Sequence, residues 1–409
     1  MSAPKALPWI PPGSLVAGHV AYGLSWLVLA SAARPGALSF GLELAWVHLV
    51  ALGWITTIAL AVLIHVIPGF TGATWRGQTR ARGAIIIFVI GAALLCAGLG
   101  FGVQPLLPLG SSVVIISLVV YLLAALGTLT HAGPGRQQRS VAAALALALL
   151  VLGITAALGY VFAFFLGPGL ANDVLRLAPA HAVLGIVGWL TILATGVSTR
   201  TFGPIFGAES RFAAVHGAIG NALTAGSIAA AAGIALRSDA VLDLGLLAVG
   251  VGALAYAFDG LDIARRAAAP HRPPQAFALA ALIWLLVAVA LVAGNRFGAA
   301  TLTVGIFVAL AGWLGQMVNA HMHQLGVRLI ATLEGGDEAA DGLLDPRTSW
   351  FTFAAAQVAV LLGTLGLVAQ QNDLFGIAGI AGFAAFLGFS GNVLFARGAA
   401  SRRGAFGSP

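Results

Sequence analysis

The sequence predicts an all-α integral membrane protein of about twelve transmembrane helices, arranged in three quasi-repeated groups of four, with both termini inside. Three observations carry this. Of the 409 residues, 60% are hydrophobic and 8% are charged, whereas about a quarter of a soluble domain is charged. Apolar runs recur at the length of about 20 residues that carries a helix across the hydrocarbon layer, and a helix satisfies every backbone group within its own segment, as lipid demands. A glycine-tryptophan pair returns at Gly53-Trp54, Gly188-Trp189 and Gly312-Trp313. The mean hydropathy of +0.99 agrees.

Taken in order, the first apolar run lies near 13–33 and ends at Arg34, and the second near 41–69 ends at Pro68-Gly69. Arg76, Arg80 and Arg82 precede the third, near 83–103; the fourth lies near 106–130, and Arg136 and Arg139 separate it from the fifth, near 140–167. Arg176 and Arg200 flank the sixth, near 179–199, and Arg211 and Arg237 the seventh, near 211–236. The eighth, near 240–261, stops before Arg265 and Arg266, and the ninth, near 275–294, lies between Arg272 and Arg296. The tenth, near 298–330, carries Arg328 close to its end; Arg347 opens the eleventh, near 348–370, and Arg397 closes the twelfth, near 374–396.

An even count of spans puts both termini on one side. Lys5 and fifteen of the arginines then share that side, and only Arg34, Arg176, Arg237 and Arg296 fall opposite. Basic residues concentrate in cytoplasmic loops, so the expected orientation is N-in and C-in, in a bacterial-type inner membrane. Residues 1–409 form a single polytopic domain with short loops and a cytoplasmic tail at 398–409. The net charge of +7 sits in separate short loops and forms no basic stripe, which argues against nucleic acid as a partner. The loop from Glu334 to Arg347 is acidic and reads as solvated. Cys96 is the one cysteine, so no intramolecular disulfide and no cysteine metal cage is possible. Met1 to Pro12 does not resemble a cleavable signal peptide.

The three Gly-Trp pairs fall in the second, sixth and tenth spans, inside LGWITTIALA, VGWLTILATG and AGWLGQMVNA. They are spaced one set of four helices apart, which favours a true repeat; the competing reading is that small residues beside tryptophan are ordinary helix-packing pairs.

Histidine is costly in lipid and is a common ligand for heme iron and copper. His131 and His271 fall in loops, whereas His19, His48, His65, His181, His216, His321 and His323 fall in spans. His48 and His181 begin inward-running spans and so lie at the outer level, and the other five lie at the inner level. His48 and His65 are too far apart on one helix, about 25 Å at 1.5 Å per residue, to bind one metal. In His321-Met322-His323 the two rings point about 200° apart, so the pair would address two centres. The only lysine lies outside the bilayer, and Glu43, Asp243 and Asp259 lie near span ends, which argues against a proton pump.

These residues resemble catalytic subunit I of the heme-copper oxidases and nitric oxide reductases: twelve helices in three groups of four, histidines on spans two, six and ten, and His-x-His on span ten. The stretches HLVALGWITTIALAVLIHVIPGFTG, from His48, and HAVLGIVGWLTILATGVSTRTFGPIFG, from His181, are also similar to the NnrS family of heme- and copper-containing membrane proteins of the nitric-oxide response. The resemblance implies that His48 or His65 pairs with His323 across a low-spin heme b, that His321 holds a second heme, and that His181 or His216 holds copper. The adjacent histidine pair of the oxidase copper site is missing, since His216 stands alone. The resemblance further implies dioxygen or nitric oxide as a gaseous ligand and electrons from a partner protein or a membrane quinol. Two other classes stay open: a metal-handling permease, for which Pro68-Gly69 and Gly203-Pro204 would interrupt helices along a path, and a cofactor-less assembly partner of a respiratory complex. Bound porphyrin separates the first class from both others.

Overall fold

The computed structural model describes residues 12–31, 39–165, 174, 176–267, 272–299, 301–326 and 343–405. Lys5, Arg34, His271, Arg328 and the acidic residues from Glu334 to Asp341 lie outside them. Among the described residues the chain is helical with no strand, and twelve helices are long and apolar enough to cross a membrane. This is an all-α multi-pass membrane protein. The helices are α1 (Gly13–Ala30), α2 (Phe40–Thr71), α3 (Gln78–Phe101), α4 (Leu106–Leu129), α5 (Val141–Phe164), α6 (Ala178–Phe206), α7 (Ala213–Leu236), α8 (Asp239–Arg265), α9 (Pro273–Arg296), α10 (Leu302–Gly326), α11 (Pro346–Ala369) and α12 (Asn372–Phe395). The last of these continues as helix to Ala405, so residues 398–405, expected as a tail, extend α12. α6 runs on past Arg200 because Pro204 lies in its final turn, where a missing N–H deprives only one carbonyl.

The chain divides into two compact units: Met1–Tyr22, Ser39–Ser198 and Phe212–Tyr256 form the first, and Gly23–Leu38, Thr199–Arg211 and Ala257–Pro409 the second. In the first, α3 and α4 meet through glycine. A Cβ on Gly91 would stand 2.7 Å from the backbone nitrogen of Val114, and such close approach of helices is what small residues provide in lipid. α7 and α8 repeat the arrangement, with Gly226 against the backbone of Val249. Polar side chains fasten α2 to its neighbours: the Tyr121 hydroxyl donates to the Leu60 carbonyl at 2.9 Å, and Trp75 Nε1 to the Ile64 carbonyl at 2.6 Å.

In the second unit α11 and α12 form the corresponding hairpin, with Gly366 against the backbone of Phe375. A hydrogen-bonded chain crosses three helices: Trp284 Nε1 donates to Gln357 Oε1 at 3.1 Å, and Gln357 Nε2 donates to Gln316 Oε1 at 2.8 Å. Asp262 binds both Arg265 and Arg266, Arg266 also donates to the Glu209 carbonyl, and Ser210 donates to Asp259 at 2.6 Å. Asp345 caps α11 and is itself held by Asn392 of α12.

Each Gly-Trp pair sits in a π-helical segment of an otherwise α-helical span: Leu49–Thr56 in α2, Leu184–Thr191 in α6 and Val308–Leu314 in α10. The same element at the same register in three spans four helices apart is a structural repeat. The glycine admits a neighbour at each: a Cβ on Gly53 would meet Ala21 at 2.9 Å, on Gly188 Val151 at 2.5 Å, and on Gly312 Trp284 at 2.9 Å. The widened turn leaves a carbonyl for a side chain five residues on. Thr57 Oγ1 donates to the Leu52 carbonyl in the first copy, and Gln316 Nε2 to the Ala311 carbonyl in the third.

Candidate functional site

Short π segments inside α-helices recur at functional sites, and in the first unit two of them lie just beyond a histidine. His48 is the last α-helical residue before the segment in α2, and His181 lies in the short α-helical entry, Ala178–Val183, before the segment in α6. Their rings are 6.3 Å apart between centres and inclined by only 22°. Both are partly buried.

Each ring is fixed by a backbone carbonyl. His48 Nδ1 is 2.7 Å from the Leu44 carbonyl one turn back on α2, and His181 Nδ1 is 3.1 Å from the Thr155 carbonyl on α5. A carbonyl only accepts, so Nδ1 carries the hydrogen in both rings and Nε2 carries the lone pair. Among the described residues no hydrogen bond takes up either Nε2. Two imidazoles inclined by 22°, each with Nε2 outside any hydrogen bond among the described residues, are the outcome. Eight residues further along each helix, Trp189 Nε1 donates to Thr56 Oγ1 at 2.9 Å, so α2 and α6 are tied at a second level.

The remaining histidines fall elsewhere. His65 stands near the far end of α2, and His216 opens α7, which follows the end of α6 opposite to His181. With the length of α6 between them, about 1.5 Å per residue, His181 and His216 do not share an ion. His19 stacks on Tyr22 at 5.8 Å, and Tyr22 on Trp54 at 4.0 Å. In the second unit both nitrogens of His321 are engaged: Nδ1 donates to the Met317 carbonyl at 2.8 Å, and Nε2 accepts from the Thr201 hydroxyl at 2.7 Å. His323 is different. It is 5% exposed, its Nδ1 donates to the Asn319 carbonyl at 2.8 Å, and Phe277 and Phe389 flank its ring at 4.9 and 4.8 Å. Its Nε2 is buried without a hydrogen-bond partner among the described residues.

The resemblance in the sequence implies that His48 or His65 pairs with His323 and that His181 or His216 holds copper; the imidazole that stands beside His48 is His181. The signal was available, because His48 and His181 precede their Gly-Trp pairs by five and seven residues and so enter their spans at one level. Thr155, Gly159 and Phe162, which seat His181, were not legible, since α5 carries no polar motif there. Among the described residues no three or more His, Cys, Asp or Glu side chains gather as a metal cage. No known family model matches the chain, and no curated protein matches it.

Proposed function

We propose that this chain is a heme-binding redox protein of the bacterial inner membrane, in which His48 and His181 would hold a heme b. The observation that carries the reading is the 6.3 Å between their ring centres. A metal–imidazole bond of about 2.0 Å, with about 1.1 Å more from ring nitrogen to ring centre, puts two imidazoles that share one ion at about that separation across it. Among the described residues no third His, Cys, Asp or Glu joins them, which suits a group that would bring ligand nitrogens of its own. The backbone carbonyls on both Nδ1 atoms fix the tautomer and ring orientation, as outer-shell partners of ligating histidines do.

When bound, the iron supplies one-electron chemistry whose potential the apolar helices and the axial ligands set. The residues bind and orient it: Leu44 and Thr155 hold the rings, and the Trp189–Thr56 bond keeps α2 and α6 at a fixed spacing. With the N-in, C-in orientation of the positive-inside bias, the pair lies in the outer half of the membrane. Electrons come from a partner protein or a membrane quinol. If a second heme or a copper ion is held, His323 is the ligand with a nitrogen to give, whereas His321 must first release Thr201.

The test is an optical spectrum of the detergent-purified protein, oxidised and dithionite-reduced, with pyridine hemochrome and metal analysis. One heme b per chain is expected at this pair, with its low-spin spectrum lost in His48→Ala and in His181→Ala and kept in His321→Ala. A preparation that stays colourless when the host is fed heme precursor refutes the reading and moves the permease and assembly classes forward.

A further inference from the structure

His181 is seated by one face of α5. Thr155, Gly159 and Phe162 follow at helical spacing, and they give the imidazole a carbonyl at 3.1 Å, a bare backbone and an aromatic edge at 5.6 Å between ring centres. The bare position is close: a Cβ on Gly159 would lie 2.9 Å from His181 Cε1, 3.6 Å from Nδ1 and 3.7 Å from Nε2. Real side-chain carbons do not approach a ring at 2.9 Å, so any residue larger than glycine at 159 pushes the imidazole off its seat. His48 is held from its own helix by Leu44. Both rings are therefore fixed by backbone groups rather than by mobile side chains.

We propose that Gly159 is the positioning residue that keeps His181, together with His48, seated to hold the iron, so that the loaded site would carry electrons and admit neither dioxygen, nitric oxide nor carbon monoxide. This rests on the heme reading above and narrows it. A gas ligand needs an open coordination position, and what surrounds the axial sites decides between gas binding and electron transfer. Gly159 touches neither the iron nor a substrate; it acts through His181 alone.

The experiment is carbon monoxide addition to the dithionite-reduced holoprotein in detergent, read by optical spectroscopy, with electron paramagnetic resonance of the oxidised form. The wild type is expected to be low-spin and to show no carbon-monoxide-shifted band at saturating gas. Gly159→Ala is expected to gain a high-spin fraction and a carbon-monoxide-shifted band. A wild-type heme that binds carbon monoxide stoichiometrically overturns the closure, while a Gly159→Ala protein with the wild-type spectrum and no gas binding overturns the role of Gly159. If Gly159→Ala does not fold, His181→Gly, which adds no volume, substitutes for it: gas binding that added imidazole suppresses supports closure by His181, and a heme-loaded His181→Gly protein inert to gas overturns it. A wild-type protein without heme fails the heme reading itself, which the pyridine hemochrome reports separately.

Discussion

Replacing Thr56 by valine removes one hydroxyl and almost no volume, and it breaks the bond that ties the first Gly-Trp segment to the second. Thr56 and Trp189 are 0% and 2% exposed, and the bond is 2.9 Å long. The valine leaves a buried indole N–H with no partner, which costs about 1–3 kcal/mol. Trp189→Phe removes the donor together with part of the ring, so it adds a packing loss, while the Thr56 hydroxyl it abandons can turn to a carbonyl of its own helix. In the Trp189→Phe background the valine should therefore be nearly silent. The coupling between the two changes should therefore match the cost of Thr56→Val alone, about 1–3 kcal/mol, and a double-mutant cycle isolates it. The assay is reversible unfolding in mixed micelles with rising dodecyl sulfate fraction, all four proteins at one concentration. The bond lies about 12 Å of helix rise beyond the histidine pair, so under the proposed heme reading Thr56→Val should also speed heme loss. An equal cost for Thr56→Val with and without the indole would refute the account of this contact as an interhelical tie.

Gly188→Ala puts a methyl 2.5 Å from Val151 in the middle of the second π segment and is expected to destabilise by about 1–3 kcal/mol through overpacking; Gly196→Ala, with open space around it, should be neutral or stabilising by the same unfolding assay. Near the start of α11, the hydroxyl and then the backbone N–H of Thr348 hold the Asp345 carboxyl below its ordinary range. A carboxylate whose folded pKa is depressed gives stability that is present above its unfolded value, about 3.9, and is lost as pH falls through the folded value. Unfolding measured between neutral and acid pH should show that loss in the wild type and lack its Asp345 share in Asp345→Asn, which keeps the cap but cannot titrate.

The twelve spans were legible because hydropathy over a span is a local property and lipid leaves the helix as the solution for each. The three Gly-Trp pairs marked spans two, six and ten, and the structure turns that pattern into a repeat. The π segments were not legible, because LGWIT and VGWLT read equally well as α-helix; the widened turn answers to neighbours such as Ala21 and Val151 packed on the glycine. Residues 398–405 continue α12 as helix, since a polar ending does not stop a helix already propagating through Gly391 and Leu394.

What the sequence by itself determined is a membrane protein with seven histidines in its apolar spans, and hence that polar chemistry sits inside it at a cost in free energy. What only the tertiary structure decided is which of those histidines meet. His48 and His181 are 133 residues apart, and no periodicity carries information over that distance. The meeting depends on α2, α5 and α6 packing side by side, on Thr155 offering a carbonyl and on Gly159 offering nothing. Equally, only packing distinguishes His321, quenched by Thr201, from His323 two residues later, whose second nitrogen is left without a partner.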